Sequence, residues 1–133
     1  MKDTVCPNGI LAKEYDTATQ IMGSDWRMPT PTDFQELLEN TENEWISDYN
    51  GTGVNGRKFT SKTDKTKYIF ISAAGLCYNS SVDYLGRKGF VWSSSLNTSD
   101  PYFTSYLDFD SGDCDMSYGN PRCYGMSVRG VRK

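Results

Sequence analysis

Four carboxylates fall within one short run, Asp108-Phe109-Asp110-Ser111-Gly112-Asp113-Cys114-Asp115. That density of hard oxygen ligands is the chemistry of calcium coordination. The spacing departs from an EF-hand loop, and no Glu stands at the twelfth position. Aspartates at the solvated end of a strand are the competing reading. Around this run the segment Asp100–Gly125 contains no Lys, no Glu and no Gln, but is crowded with Tyr, Asp, Ser, Cys, Asn and Gly. Tyr supplies broad, stiff contact area at low entropic cost, and Ser, Gly and Asn supply adaptable hydrogen bonds. This is the chemistry of a binding surface. An ordinary loop rich in turn formers would share some of it.

Other chemistries are poorly provided for. The chain has no His, which excludes a Ser–His–Asp triad and a Cys–His nucleophile. It has four cysteines, Cys6, Cys77, Cys114 and Cys123, with no C-x-x-C pair, so a Cys/His zinc site is not expected. Cys114 and Cys123 flank the loop and would staple it if oxidised; four reduced thiols is the alternative. There is no nucleophile elbow, no phosphate loop and no pair of acids in a recognisable catalytic context. The expectation is a protein that binds rather than catalyses, with no cofactor.

The elements that must position these residues are read from apolar spacing. The 133 residues suffice for one domain with a core and are too few for two. A net charge of −3 and the absence of a basic stripe argue against nucleic acid as a partner. No apolar run has transmembrane length, and the N-terminus shows no signal-peptide core. In the first ten residues Val5 and Ile10 flank an Asn8-Gly9 turn, as at a sheet edge. Leu11, Tyr15, Ala18 and Met22 recur at helical spacing and predict a helix over Leu11–Met22, stopped by Gly23. Thr30-Pro31-Thr32-Asp33 predicts a second helix, with Thr30 as N-cap, Pro31 at N1 and Asp33 in the capping-box place. It runs to about Asn40, with Phe34, Leu37 and Leu38 as its buried stripe.

Thr41–Gly56 reads as polar and turn-rich, anchored by Trp45 and Ile46. Arg57–Lys62 and Lys67–Ser72 read as a hairpin whose second strand is largely buried on both faces, and Cys77–Lys88 as a surface segment. Phe90–Ser94 and Tyr102–Asp110 read as strands. In the latter, Leu107 and Phe109 point one way, and Tyr106, Asp108 and Asp110 the other. The serines Ser93-Ser94-Ser95 suggest close packing with hydroxyl bonds to nearby backbone. Ser111–Gly125 reads as a loop and Met126–Val131 as a closing strand in which Val128 and Val131 pack. Arg129 and Arg132 project or pair with acids. The ends of the last third of the chain, Gly89–Lys133, read as scaffold and its middle as the binding surface.

Three motifs stand in order: Trp26-Arg27-Met28-Pro29-Thr30 before a helix, Trp92-Ser93-Ser94-Ser95 after Gly89, and Gly125-x-Ser127-Val128-Arg129-x-Val131-Arg132. Together they resemble the Fibrobacter-type major paralogous domain of gut Bacteroidales. They also resemble the variable proteins of diversity-generating retroelements from that niche and its phages. The resemblance spans about Leu11 to Arg132. It implies an α+β, C-type-lectin-like fold: two helices on small, mostly antiparallel sheets with long irregular loops, in a single domain over 1–133 with a candidate variable region at 100–124.

It also implies a receptor- or adhesin-type module on a cell surface or phage tail fibre, binding a protein or glycan on another cell or phage host, with no nucleic-acid partner and no membrane insertion. In such systems mutated adenines turn Asn codons into Tyr, Asp, Ser, Cys, Phe, Gly, Pro or Arg codons, and never into Lys, Glu, Gln, Met or Trp codons. The varied positions would be Asp100, Tyr102, Phe103, Asp108, Asp110, Asp113, Cys114, Asp115, Ser117, Tyr118, Asn120, Pro121, Cys123 and Tyr124. Met116, Leu107, Phe109, Arg122 and Gly125 would be constant. Tyr102, Phe103, Tyr118 and Tyr124 would be the aromatic anchors. Under this reading Cys114 and Cys123 are products of variation. The chain lacks the Glu-Pro-Asn and Trp-Asn-Asp motifs of calcium-dependent lectins and the paired cysteines of the related formylglycine-generating enzyme, so neither activity carries over. The alternatives left open are a structural surface domain of the paralogous family that does not vary, and a calcium-dependent binding domain.

Overall fold

A computed structural model describes residues 10–96, 103–121 and 124–132, with Leu96, Phe103, Asn120 and Pro121 described in backbone alone. Val5, Cys6 and Arg122 lie outside the described residues. The fold is α+β: two helices pack with small antiparallel sheets that do not close on themselves.

The central sheet joins β7 (Gly89–Leu96), β8 (Phe103–Phe109) and β9 (Cys114–Pro121) in that order. A second sheet joins β2 (Thr41–Ile46), β3 (Gly56–Ser61) and β4 (Tyr68–Ser72). Among the described residues there are two smaller pairs: β1 (Trp26–Arg27) with β10 (Val131–Arg132), and β5 (Leu76–Tyr78) with β6 (Ser81–Asp83). Among the described residues no helix is long and apolar enough to cross a membrane.

Helix α2 (Pro31–Asn40) forms as expected, because its first turn is satisfied locally. The Thr30 hydroxyl accepts from the Asp33 N–H at 3.2 Å, and the Asp33 carboxylate accepts from the Thr30 N–H at 2.8 Å. The same carboxylate is gripped by both terminal nitrogens of Arg27, which ties β1 to the helix. That bidentate pair holds the Asp33 carboxyl below its usual range and the Arg27 guanidinium above its own. Phe34 is buried, with Leu37 and Leu38 half-buried beside it.

Helix α1 is shorter than its apolar spacing suggests, Thr17–Met22 rather than Leu11–Met22. Asp16 is the reason. Its buried carboxylate caps the helix at the Thr19 N–H, at 2.9 Å, and accepts from the Met28 N–H at 2.9 and 3.1 Å. The residues before it are spent in turns, and of the expected stripe only Ala18 is deeply buried; Tyr15 and Met22 are 52% and 47% exposed.

The main core lies between α2, the β2–β3–β4 sheet and one face of the central sheet. Phe34, Phe59, Ile71, Ala73, Val91, Leu107 and Phe109 form it, with Trp45, Cys114 and Met116 at its margin. Leu107, Phe109 and Phe59 are at most 1% exposed, and burial of each contributes about 1.5–3 kcal/mol relative to exposure. Gly89 lies opposite Phe109, where a Cβ would come within 2.0 Å of the ring. The serines after Trp92 are buried as expected: Ser93 shares a hydroxyl–hydroxyl bond with Ser105, and the Ser105 hydroxyl donates to the Ser95 carbonyl at 3.3 Å.

Further expectations are corrected. Thr41–Ile46 is a strand, held by a six-residue ladder to β3 that turn-rich composition conceals. β4 is an edge strand rather than one largely buried on both faces: among the described residues it pairs with β3 alone, Ile71 is its one buried residue, and Tyr68 and Ile69 are exposed. Cys77–Lys88 lies at the surface as expected, with residues 77–85 exposed, and carries most of the β5–β6 hairpin. Most consequentially, the loop expected at Ser111–Gly125 is largely a strand, β9, in register with β8 from Phe109↔Cys114 to Phe103↔Pro121. At the C-terminus Val128 is exposed and does not pack; Ser127 makes the link there, bonding with Phe90 and Trp92 on β7. Arg129 donates to the Phe70 carbonyl.

Candidate functional site

Alternation along β7, β8 and β9 places every second residue on the face away from the main core. Phe90 pairs with Asp108, and Trp92 with Tyr106; Asp108 in turn pairs with Asp115, and Tyr106 with Ser117. This second face is partly covered. β5 is bridged to the C-terminal segment by two bonds between Cys77 and Gly125, at 2.6 and 2.8 Å. The bridge brings Leu76, Tyr124 and Met126 over Phe90, Tyr106 and Trp92 as a small second core.

At the edge of that cover a cleft of about 320 Å³ opens. Its walls are aromatic: Tyr78, Tyr84, Phe90, Tyr106 and Tyr124. Tyr78 and Tyr124 meet edge to face at 4.9 Å, and Tyr84 lies 6.0 Å from Phe90. Its charged members are Asp83, Lys88 and Asp108. The Lys88 ammonium is 3.5 Å from Asp108 and lies over the Phe90 and Tyr84 rings at 5.4 and 5.7 Å. Burial pushes the Asp108 carboxyl above its ordinary range, with Lys88 opposing that rise. Burial likewise raises the Tyr106 hydroxyl, opposed by a hydrogen bond with Ser117.

The four clustered aspartates diverge. Asp108 faces Lys88. Asp110 accepts from the Gly112 and Asp113 N–H groups at 2.8 and 3.0 Å, which holds it below its usual range. Asp113 accepts from the Cys114 N–H and Asp115 from the Met116 N–H, each at 2.8 Å. The Asp110 and Asp113 bonds shape the β8–β9 turn, and the Asp115 bond lies within β9. Among the described residues no group of three or more Cys, Asp or Glu is gathered as for a metal ion.

The expected site residues therefore separate. Asp108, Asp115, Ser117 and Tyr124 belong to the second face and its cleft. Asp110 and Asp113 mark the β8–β9 turn. Tyr118 is 53% exposed at a bulge, where Tyr118 and Gly119 oppose Ser105. Cys114 lies on the opposite side, against the main core, where burial pushes its thiol up to about 12. Cys77 and Cys114 are free thiols. Phe103, Asn120 and Pro121 are placed in β8 and β9 by backbone alone, and Asp100, Tyr102 and Cys123 lie outside the described residues. The cleft also recruits Tyr78, Asp83, Tyr84 and Lys88, which sequence reading left in a surface segment. No local signal marks them beyond a run with two Tyr, because the Cys77–Gly125 bridge that carries them in spans nearly fifty residues of chain.

Compared with described protein families, with characterised proteins and with solved structures, the chain matches none.

Proposed function

We propose that this chain is a ligand-binding module of the receptor or adhesin type, a lectin-like scaffold that presents a diversified C-terminal surface to a protein or glycan on another cell or phage host. The observation that carries this reading is the parity of β8 and β9. Leu107, Phe109 and Met116 serve the core, while Asp108, Asp115 and Ser117, three of the positions open to variation, share the opposite face with Tyr124 and the aromatic cleft. Side chains on that face can change without disturbing the ladder or the main core, which is what a diversified surface requires.

The test is sequence comparison of the same locus across related strains. Differences are expected to concentrate within Asp100–Tyr124 and, inside the strands, at Asp108, Asp115 and Ser117, with Trp92, Leu107 and Phe109 constant. Differences scattered evenly along the chain would overturn the reading. A constant Cys114 with variable neighbours is the expected refinement, since its side chain lies against the core.

A further inference from the structure

We propose that the aromatic cleft takes a basic side chain, an arginine presented by a protein partner, as the anchor of the interface. This rests on the binding-module reading and names what the module holds. The cleft offers ring faces and carboxylates together. Tyr78 and Tyr84 are 46% and 43% exposed, and Asp108 and Asp83 supply the acids. Asp83 makes no ion pair among the described residues.

The molecule's own cations show what these rings accept. The Lys88 ammonium lies over Phe90 and Tyr84, and the exposed Arg87 guanidinium lies 5.5 Å from the Tyr84 ring centre. Ring faces carry negative potential and attract cations. The lining has a small excess of the same sign, with two carboxylates, Asp83 and Asp108, against one ammonium, Lys88. Guanidinium suits the site better than ammonium. It is planar, more weakly hydrated, and stacks on a ring while its fork engages a carboxylate. A neutral sugar would use the rings and leave the excess acid unanswered.

The test is an amide-resolved NMR titration of the whole chain with Nα-acetyl-arginine amide, its neutral isostere Nα-acetyl-citrulline amide, and methyl glucoside. The arginine probe is expected to shift the amides of Tyr78, Asp83, Tyr84 and Tyr124 saturably, and citrulline to bind about tenfold more weakly. Asp83→Asn is expected to weaken the arginine probe about threefold. Lys88→Gln, which removes the resident competitor, is expected to strengthen it by a similar factor; each variant's spectrum reports whether it is folded. Equal binding of citrulline, glucoside shifting the same amides in place of arginine, weaker binding to Lys88→Gln, or no saturable shift at these amides would overturn the inference. Each of those outcomes leaves the module reading to its own test, because positional variation among strains is independent of which side chain the cleft holds.

Discussion

On β8, Leu107 and Phe109 are sealed against α2 and β3, while Asp108 between them sits half-buried beside Lys88 on the other face. One strand thus serves two environments with opposite demands. The first face is sealed and mainly apolar, and changes of volume there are costly. The second mixes rings with carboxylates, is only partly covered by the β5–β6 hairpin, and keeps an open cleft. The difference teaches that the sealed core and the open cleft are divided by residue parity rather than by segment.

The largest expected effect is on the sealed face. Leu107→Ala is expected to cost about 3–4 kcal/mol in urea denaturation, whereas Asp115→Asn is expected to stay within about 0.5 kcal/mol. Comparable losses at the two sites would break the contrast. Gly89→Ala comes next. Its methyl would meet the Phe109 ring at 2.0 Å, and displacing that ring is expected to cost about 2–3 kcal/mol. Asp16→Ala leaves the buried Met28 N–H without its acceptor and removes the α1 cap; about 2 kcal/mol is expected.

Two carboxylates sharpen the contrast through pH. Asp33, held low by Arg27, contributes stability that is present above the ordinary carboxylate range and is lost as pH falls through its depressed folded value. Asp108 has the opposite sign. Burial raises it, so the folded state is penalised progressively as pH climbs from the ordinary carboxylate range through the raised folded value. Thermal melts across the acid range are expected to show a shallower acid loss for Asp33→Asn. Asp108→Asn is expected to melt slightly higher than the parent at neutral pH. The smallest perturbation touches only reactivity. At pH 8 iodoacetamide is expected to modify the exposed Cys77 and spare Cys114, whose thiol at about 12 leaves roughly one molecule in 10⁴ as thiolate; peptide mapping reads the difference.

What could be read from sequence were the features closed within a few residues. The capping box of α2 links positions three apart, and the alternation of Leu107 and Phe109 with Asp108 is written along a single strand. The misreadings share a cause. β9 carries Ser, Gly, Asn and Pro, which favour turns, and becomes a strand because β8 supplies its partners. The helix expected from Leu11 is cut back because Asp16 is claimed by Met28, twelve residues away.

The amino-acid sequence by itself determined which side chains are apolar and at what period, and so which residues of β8 turn inward and where α2 begins. Only the tertiary structure decided that Tyr78, Asp83, Tyr84 and Lys88 share a cleft with Asp108 and Tyr124. The reason is physical: a hydrogen-bonded turn is stabilised by its own neighbours, whereas a cleft between distant strands exists only once the chain has closed around a core.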